Sequence, residues 1–98
     1  MTEVVVAEVL SGARSEQHRR ALRARLLHHE VLPLGGLAGF EAAADLYRTA
    51  RAQGVTVRFL TDCLVAVPAI RAGATLLHAD RDFDHLARIS ELCIEPLS

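Results

Sequence analysis

Thr75-Leu76-Leu77-His78-Ala79-Asp80-Arg81-Asp82-Phe83-Asp84 passes within ten residues from an apolar tetrad to a cluster of carboxylates. Thr75 to His78 has the length and composition of a short buried strand. Asp80 to Ile89 reads as an acidic turn opening a short helix, with the acids placed where a helix N-terminus favours negative charge. Leu92-Cys93-Ile94 then supplies a closing strand within the segment Glu91 to Pro96. Strand, helix and strand in so short a span predict a parallel pair joined by a helical crossover, the unit of an α/β fold.

Working upstream, Asp62 to Arg71 is apolar nearly all round and stops at Gly73, which predicts a deeply buried helix with Thr61 as its cap. Pro68 lies in its interior, where it removes a hydrogen bond and crowds the preceding turn, so a kink is expected there. Phe40 to Gln53 is the clearest amphipathic helix. Phe40, Ala43, Ala44, Tyr47 and Ala50 form its apolar face and Gly54 follows as a stop. Val55 to Phe59 alternates and reads either as a strand or as a linker. Val31 to Leu34 predicts a third strand, at an edge because of Pro33. Ser15 caps a further helix reaching to about Glu30. Val4 to Leu10, bounded by Gly12, is read as a short helix although its valines also suit a strand. Helices alternating with short apolar strands thus predict one α/β domain over residues 1–98, with a thin parallel sheet.

Composition narrows the function classes. The chain is 51% hydrophobic and 23% charged with 6 Gly and 3 Pro, which excludes disordered and fibrous classes. No window of about 18 apolar residues suggests a membrane span. The Met-Thr-Glu start lacks the basic and apolar pattern of a signal peptide, so a soluble cytoplasmic protein with reduced thiols is expected. Two cysteines, Cys63 and Cys93, make neither a disulfide framework nor a zinc motif. Eleven basic residues, all arginine, against twelve acidic ones leave a net charge of −1, so no global basic field points to nucleic acid. The charges are segregated, however: Arg14, Arg19, Arg20, Arg23 and Arg25 crowd one segment and Asp80, Asp82 and Asp84 another.

The acids carry the chemistry. Carboxylates two positions apart, just beyond the carboxyl end of a parallel strand, stand where ligand sites collect in open α/β sheets. They repel one another unless a cation intervenes, and Mg²⁺ or Mn²⁺ takes such hard oxygen ligands. The plain alternative is helix capping by Asp80, with Asp82 and Asp84 solvated in the first turn. Asp62 opens the apolar helix, and Glu8 stands among Val, Ala and Leu, where an acid is costly to bury unless paired. Convergence on one ion would satisfy all of them together; the plain alternatives are N-terminal charge placement for Asp62 and an arginine partner for Glu8. The serines lack a nucleophile-elbow context, and Gly35-Gly36 lacks the phosphate-loop spacing and its lysine.

Three stretches carry a resemblance to a known family. Ala7-Glu8-Val9-Leu10-Ser11-Gly12-Ala13-Arg14, Thr61-Asp62-Cys63-Leu64-Val65-Ala66 and Leu76-Leu77-His78-Ala79-Asp80-Arg81-Asp82-Phe83 occur in the order found in PIN-domain ribonucleases of the VapC toxin type. Ala44 to Arg48 and Gly54 to Arg58 also look like that family, and the likeness runs from Thr2 to about Leu97. The resemblance implies a three-layer fold with a short parallel sheet flanked by helices. It implies a metal site of Glu8, Asp62, Asp80 and Asp82 that binds Mg²⁺ or Mn²⁺. It also implies metal-dependent hydrolysis of RNA, a VapB-like antitoxin as partner, and a homodimer. Family members begin with a central strand carrying a further acid in a Val-Asp-Thr or Val-Asp-Ser setting, and this chain starts downstream of it. The expectation is therefore an N-terminally truncated domain whose first, central strand is missing. Such a chain is either an enzyme with a mis-assigned start or a catalytically impaired remnant that serves as a protein-binding module. Pro68, where the family has a good helix former, is a second departure.

Overall fold

The computed structural model describes residues 1–78 and 81–96. In chain order the elements are α1 (Glu3–Ser11), α2 (Glu16–Leu26), α3 (Gly36–Ala52), α4 (Leu60–Ala72), β1 (Thr75–His78), α5 (Arg81–Ile89) and β2 (Cys93–Pro96). β1 and β2 pair in parallel from Thr75 opposite Cys93 to His78 opposite Pro96, with α5 as the crossover. The architecture is a helix-rich α/β fold with a short parallel sheet, as the strand–helix–strand reading predicted.

Local chemistry sets most boundaries. The Thr2 hydroxyl accepts a hydrogen bond from the Val5 N–H at the start of α1, and Gly12 closes that helix. Ser15 caps α2 by accepting from the His18 N–H at 3.0 Å. α2 is shorter than expected: it ends at Leu26, and His28 and His29 lie in the turn beyond it. Gly73 closes α4 at φ 61°, a left-handed conformation that favours glycine, and its N–H donates to the Ala69 and Ile70 carbonyls.

Two expectations are corrected. Val31 to Leu34 forms no strand; among the described residues only an isolated parallel bridge joins Thr2 to Leu32. The Leu32 N–H donates to the Met1 carbonyl at 2.6 Å, but Pro33 has no N–H with which to extend the ladder. Of the two readings left open for Val55 to Phe59, the structure takes the linker. The cap of α4 is Phe59 rather than Thr61: the helix starts at Leu60, and the Phe59 carbonyl accepts from the Asp62 N–H at 3.1 Å. α4 continues through Pro68 as one helix, with the proline fully buried.

The core gathers on α4. Cys63, Val65, Ala66, Val67 and Ala69 meet Ala43 and Ala50 of α3, Phe83 and Leu86 of α5, and Leu34, Val57 and Leu92 from the connections. α1 and α2 pack against each other and contribute no fully buried residue. α3 is rotated relative to the predicted face. Gly39, Ala43 and Ala50 are buried, while Phe40 is 55% exposed. The cause is Gly39: the Leu34 carbonyl lies against its Cα, in the space a Cβ would fill. That approach turns the small residues of α3 inward and Phe40 outward. Gly39→Ala therefore forces Leu34 away from α3 and should cost about 1–3 kcal/mol. Thermal unfolding followed by circular dichroism should show a fall in Tm of roughly 5 °C or more; an unchanged Tm would show that the contact yields freely.

Candidate functional site

Asp82 stands in the first turn of α5 and is only 2% exposed. A carboxylate so deeply placed is costly without donors. The Arg58 backbone N–H supplies one, to Oδ2 at 3.0 Å, and the Arg58 Nε lies 3.5 Å from the same oxygen. Arg58 precedes α4 by two residues, so this contact brings the N-terminus of α5 to the N-terminus of α4. Asp62 stands in the first turn of α4, half-buried, with Oδ2 shut off from solvent. The positive ends of two helix dipoles therefore meet where two acids sit.

The Cys63 side chain, next to Asp62 in α4, feels the charge of both acids. It is fully buried, and its thiol is pushed up from the ordinary value of 9.0 to about 11. Burial is the largest cause, followed by the negative charges of Asp62 and then Asp82. Both carboxylates thus act on one sulfur. Asp84, also in the first turn of α5, faces out; its Oδ1 lies 3.5 Å from Nε2 of the buried His78, whose ring tilts against Phe83 at 5.4 Å between centroids. His85 Nδ1 lies 3.0 Å from the Thr56 carbonyl, a second tie between α5 and the linker ahead of α4.

Of the four acids named from the sequence, the structure brings Asp62 and Asp82 into one electrostatic neighbourhood. Asp80 lies outside the described residues. Glu8 is exposed on α1, so the burial argument made for it does not hold. The acid that does structural work at that helix is Glu3, whose carboxylate accepts from the Leu34 N–H at 2.7 Å. Among the described residues, no three His, Cys, Asp or Glu side chains are grouped closely enough to hold a metal ion. The donor chemistry of the Asp62–Asp82 pair is nonetheless that of a hard divalent cation: oxygen donors, partly withdrawn from water, whose negative charge is felt at Cys63. Sequence reasoning missed the Arg58 backbone as the partner of Asp82. Val57 inward and Arg58 outward follow from the alternation of residues 55–58, but the partner itself is set by packing.

The arginine segment is a solvated face. Glu16 pairs with Arg19 at 2.7 Å and with Arg20 at 3.3 Å along α2, and the Arg19 hydrogen bond holds the Glu16 carboxyl below its ordinary range. Among the described residues, no helix is long and apolar enough to cross a membrane.

Comparison with known proteins places the fold in a family. Residues 1–89 match the family model described as PIN domain. Over 92 residues the chain is 42% identical to the VapC ribonuclease Mb1587 of Mycobacterium bovis, covering 94% of this chain and 69% of that protein. It is equally similar to Ribonuclease VapC11 of Mycobacterium tuberculosis. A solved structure, VapBC2 from Rickettsia felis bound to a DNA fragment from their promoter, matches with a TM-score of 0.75 at 24% identity. That match covers 99% of this chain and 73% of the other. The chain belongs to the PIN-domain family, among its VapC-type members.

The buried thiol yields a pH prediction. Below pH 9 the Cys63 thiol is neutral in folded and unfolded chains alike. Between pH 9 and about 11 the unfolded chain releases the proton and the folded chain keeps it, so folding loses stability as pH rises through that window. Denaturant unfolding should show a decline of roughly 2–3 kcal/mol across those two units. Cys63→Ala should lose most of that decline, and an equal slope in both proteins would refute the assignment.

Proposed function

We propose that this chain is a metal-dependent endoribonuclease toxin, a cytoplasmic homodimer kept silent by a VapB-like antitoxin, forming one PIN domain across residues 1–98. The observation that carries the reading is the meeting of Asp62 and Asp82 at two helix N-termini within a fold shared with VapC ribonucleases. The names of the related proteins support RNA as the substrate class and VapB as the partner class.

Asp62 and Asp82 would hold Mg²⁺ or Mn²⁺, with Glu8 and Asp80 as the further acids the family likeness nominates. When bound, the ion lowers the pKa of a coordinated water and offsets charge on the phosphoryl oxygens. The chain's own residues do the rest. The helix dipoles of α4 and α5 favour negative charge at Asp62 and Asp82. The Arg58 N–H fixes the Asp82 carboxylate and leaves it little freedom to turn. A site carboxylate accepts the proton released when water attacks phosphorus. The low-lying Cys63 stays a neutral thiol at physiological pH and adds no further negative charge.

A second reading is a protein-binding module with impaired catalysis. What favours it is that no three metal-ligating side chains group among the described residues, and that Arg58 already stands against Asp82. Purified chain, structured RNA and Mg²⁺ decide between them. The enzyme reading expects cleavage that EDTA abolishes and Mg²⁺ or Mn²⁺ restores, and a loss on the order of a hundredfold or more in Asp62→Asn with little change in Tm. No cleavage and no EDTA-sensitive metal binding, together with antitoxin binding that needs no metal, would establish the module instead.

A further inference from the structure

We propose that Phe59 and Arg58 form the nucleotide platform of the acidic site: a base of single-stranded RNA stacks on the Phe59 ring while the Arg58 guanidinium holds the adjoining phosphate. The proposal rests on the ribonuclease reading and deepens it by naming how substrate is gripped.

A site built on Asp62, Asp82 and Asp84 repels a polyanion, so a substrate of that class needs a local cation and a contact indifferent to charge. Both stand at the entry to α4. The Arg58 side chain is 59% exposed although its Nε lies 3.5 Å from Asp82, so a phosphate arriving from solvent reaches it without disturbing the core. The next two residues are large, apolar and in water: Phe59 is 57% exposed and Leu60 48%. A single exposed apolar side chain is ordinary. Here two follow in succession at the rim of a charged site, and the guanidinium carbon of Arg58 lies 5.7 Å from the Phe59 ring centroid. An aromatic face beside a guanidinium is the pairing by which proteins hold unstacked bases, since every base has a π-face and every nucleotide a phosphate. The Phe59 backbone is tied to both acidic residues: its carbonyl accepts from the Asp62 N–H, and the Arg58 N–H just before it donates to Asp82. A base on this ring therefore brings its backbone to the carboxylates. Phe59 takes no part in the core cluster, so its place in the fold does not account for it.

The test is fluorescence anisotropy of 3′-fluorescein-labelled decauridine and of a ten-base-pair RNA duplex, at low salt, with cleavage kinetics in Mg²⁺ alongside. Wild type should prefer the single strand. Phe59→Ala should weaken its binding by roughly tenfold and raise KM more than it lowers kcat, with Tm nearly unchanged, and Phe59→Trp should bind like wild type. Arg58→Ala should lower the slope of log affinity against log salt by about 0.7, as loss of one phosphate contact requires. Phe59→Ala affinity within twofold of wild type, or Phe59→Trp as weak as Phe59→Ala, overturns the platform while wild-type cleavage leaves the ribonuclease reading standing. A shift from dimer to monomer in Phe59→Ala with unchanged RNA affinity also overturns it and marks the patch as a protein interface. A wild type that neither binds nor cleaves RNA removes the ribonuclease reading and the platform with it.

Discussion

The hold of Asp82 on the Arg58 backbone organises this molecule. A carboxylate withdrawn from water must find donors, and charge-assisted hydrogen bonds are among the strongest a small fold can make. Asp82 finds its donor two residues ahead of another helix. That contact sets the start of α5 against the start of α4, and the His85 contact with the Thr56 carbonyl reinforces it from the next turn. Two helix N-termini, two acids and an exposed aromatic are assembled at one end of the molecule as a result.

The rest of the packing serves that end. α3 lies along α4 through small residues, Ala43 and Ala50 against a helix bearing Ala66 and Ala69, and the close approach leaves Cys63 fully enclosed beneath the acids. Enclosure and two nearby negative charges act on the thiol in the same direction, so it stays neutral. α1 lays Val4 and Val5 against the edge of this core, α2 keeps its arginines towards water, and Glu3 ties the beginning of α1 to Leu34. The acidic end thus combines a buried, hydrogen-bonded Asp82 with an exposed Arg58 and Phe59.

Much of the fold was legible because its signals are local. α4 follows from an unbroken apolar run ended by Gly73, and β1, α5 and β2 follow from an apolar tetrad, an acid-led helix and a second apolar run. The errors share another cause. Phe40 looked like a core residue because hydrophobicity does not say which of two neighbouring faces meets the core; the contact between Gly39 and Leu34 does. Val31 to Leu34 looked like a strand because composition does not show whether a partner strand lies within reach. Glu8 looked buried because its sequence neighbours are apolar, whereas α1 turns it to solvent. At the site, a place at the head of an apolar helix marked Asp62 and the acidic spacing marked Asp82, but neither carried information on the distance between them, and nothing marked Phe59 beyond its place in an alternating linker.

The chain alone determined the helix-rich α/β order, the parallel strand–helix–strand unit and the two helices that carry acids in their first turns. Each of these depends on residues within a turn or two of one another, where side-chain period and capping act. Only the folded molecule decided that those two acids face a common thiol, that Arg58 completes one of them, and that Phe59 stays in water beside them. Those outcomes depend on how α4 and α5 dock, which is governed by volume and burial summed over residues far apart in the chain.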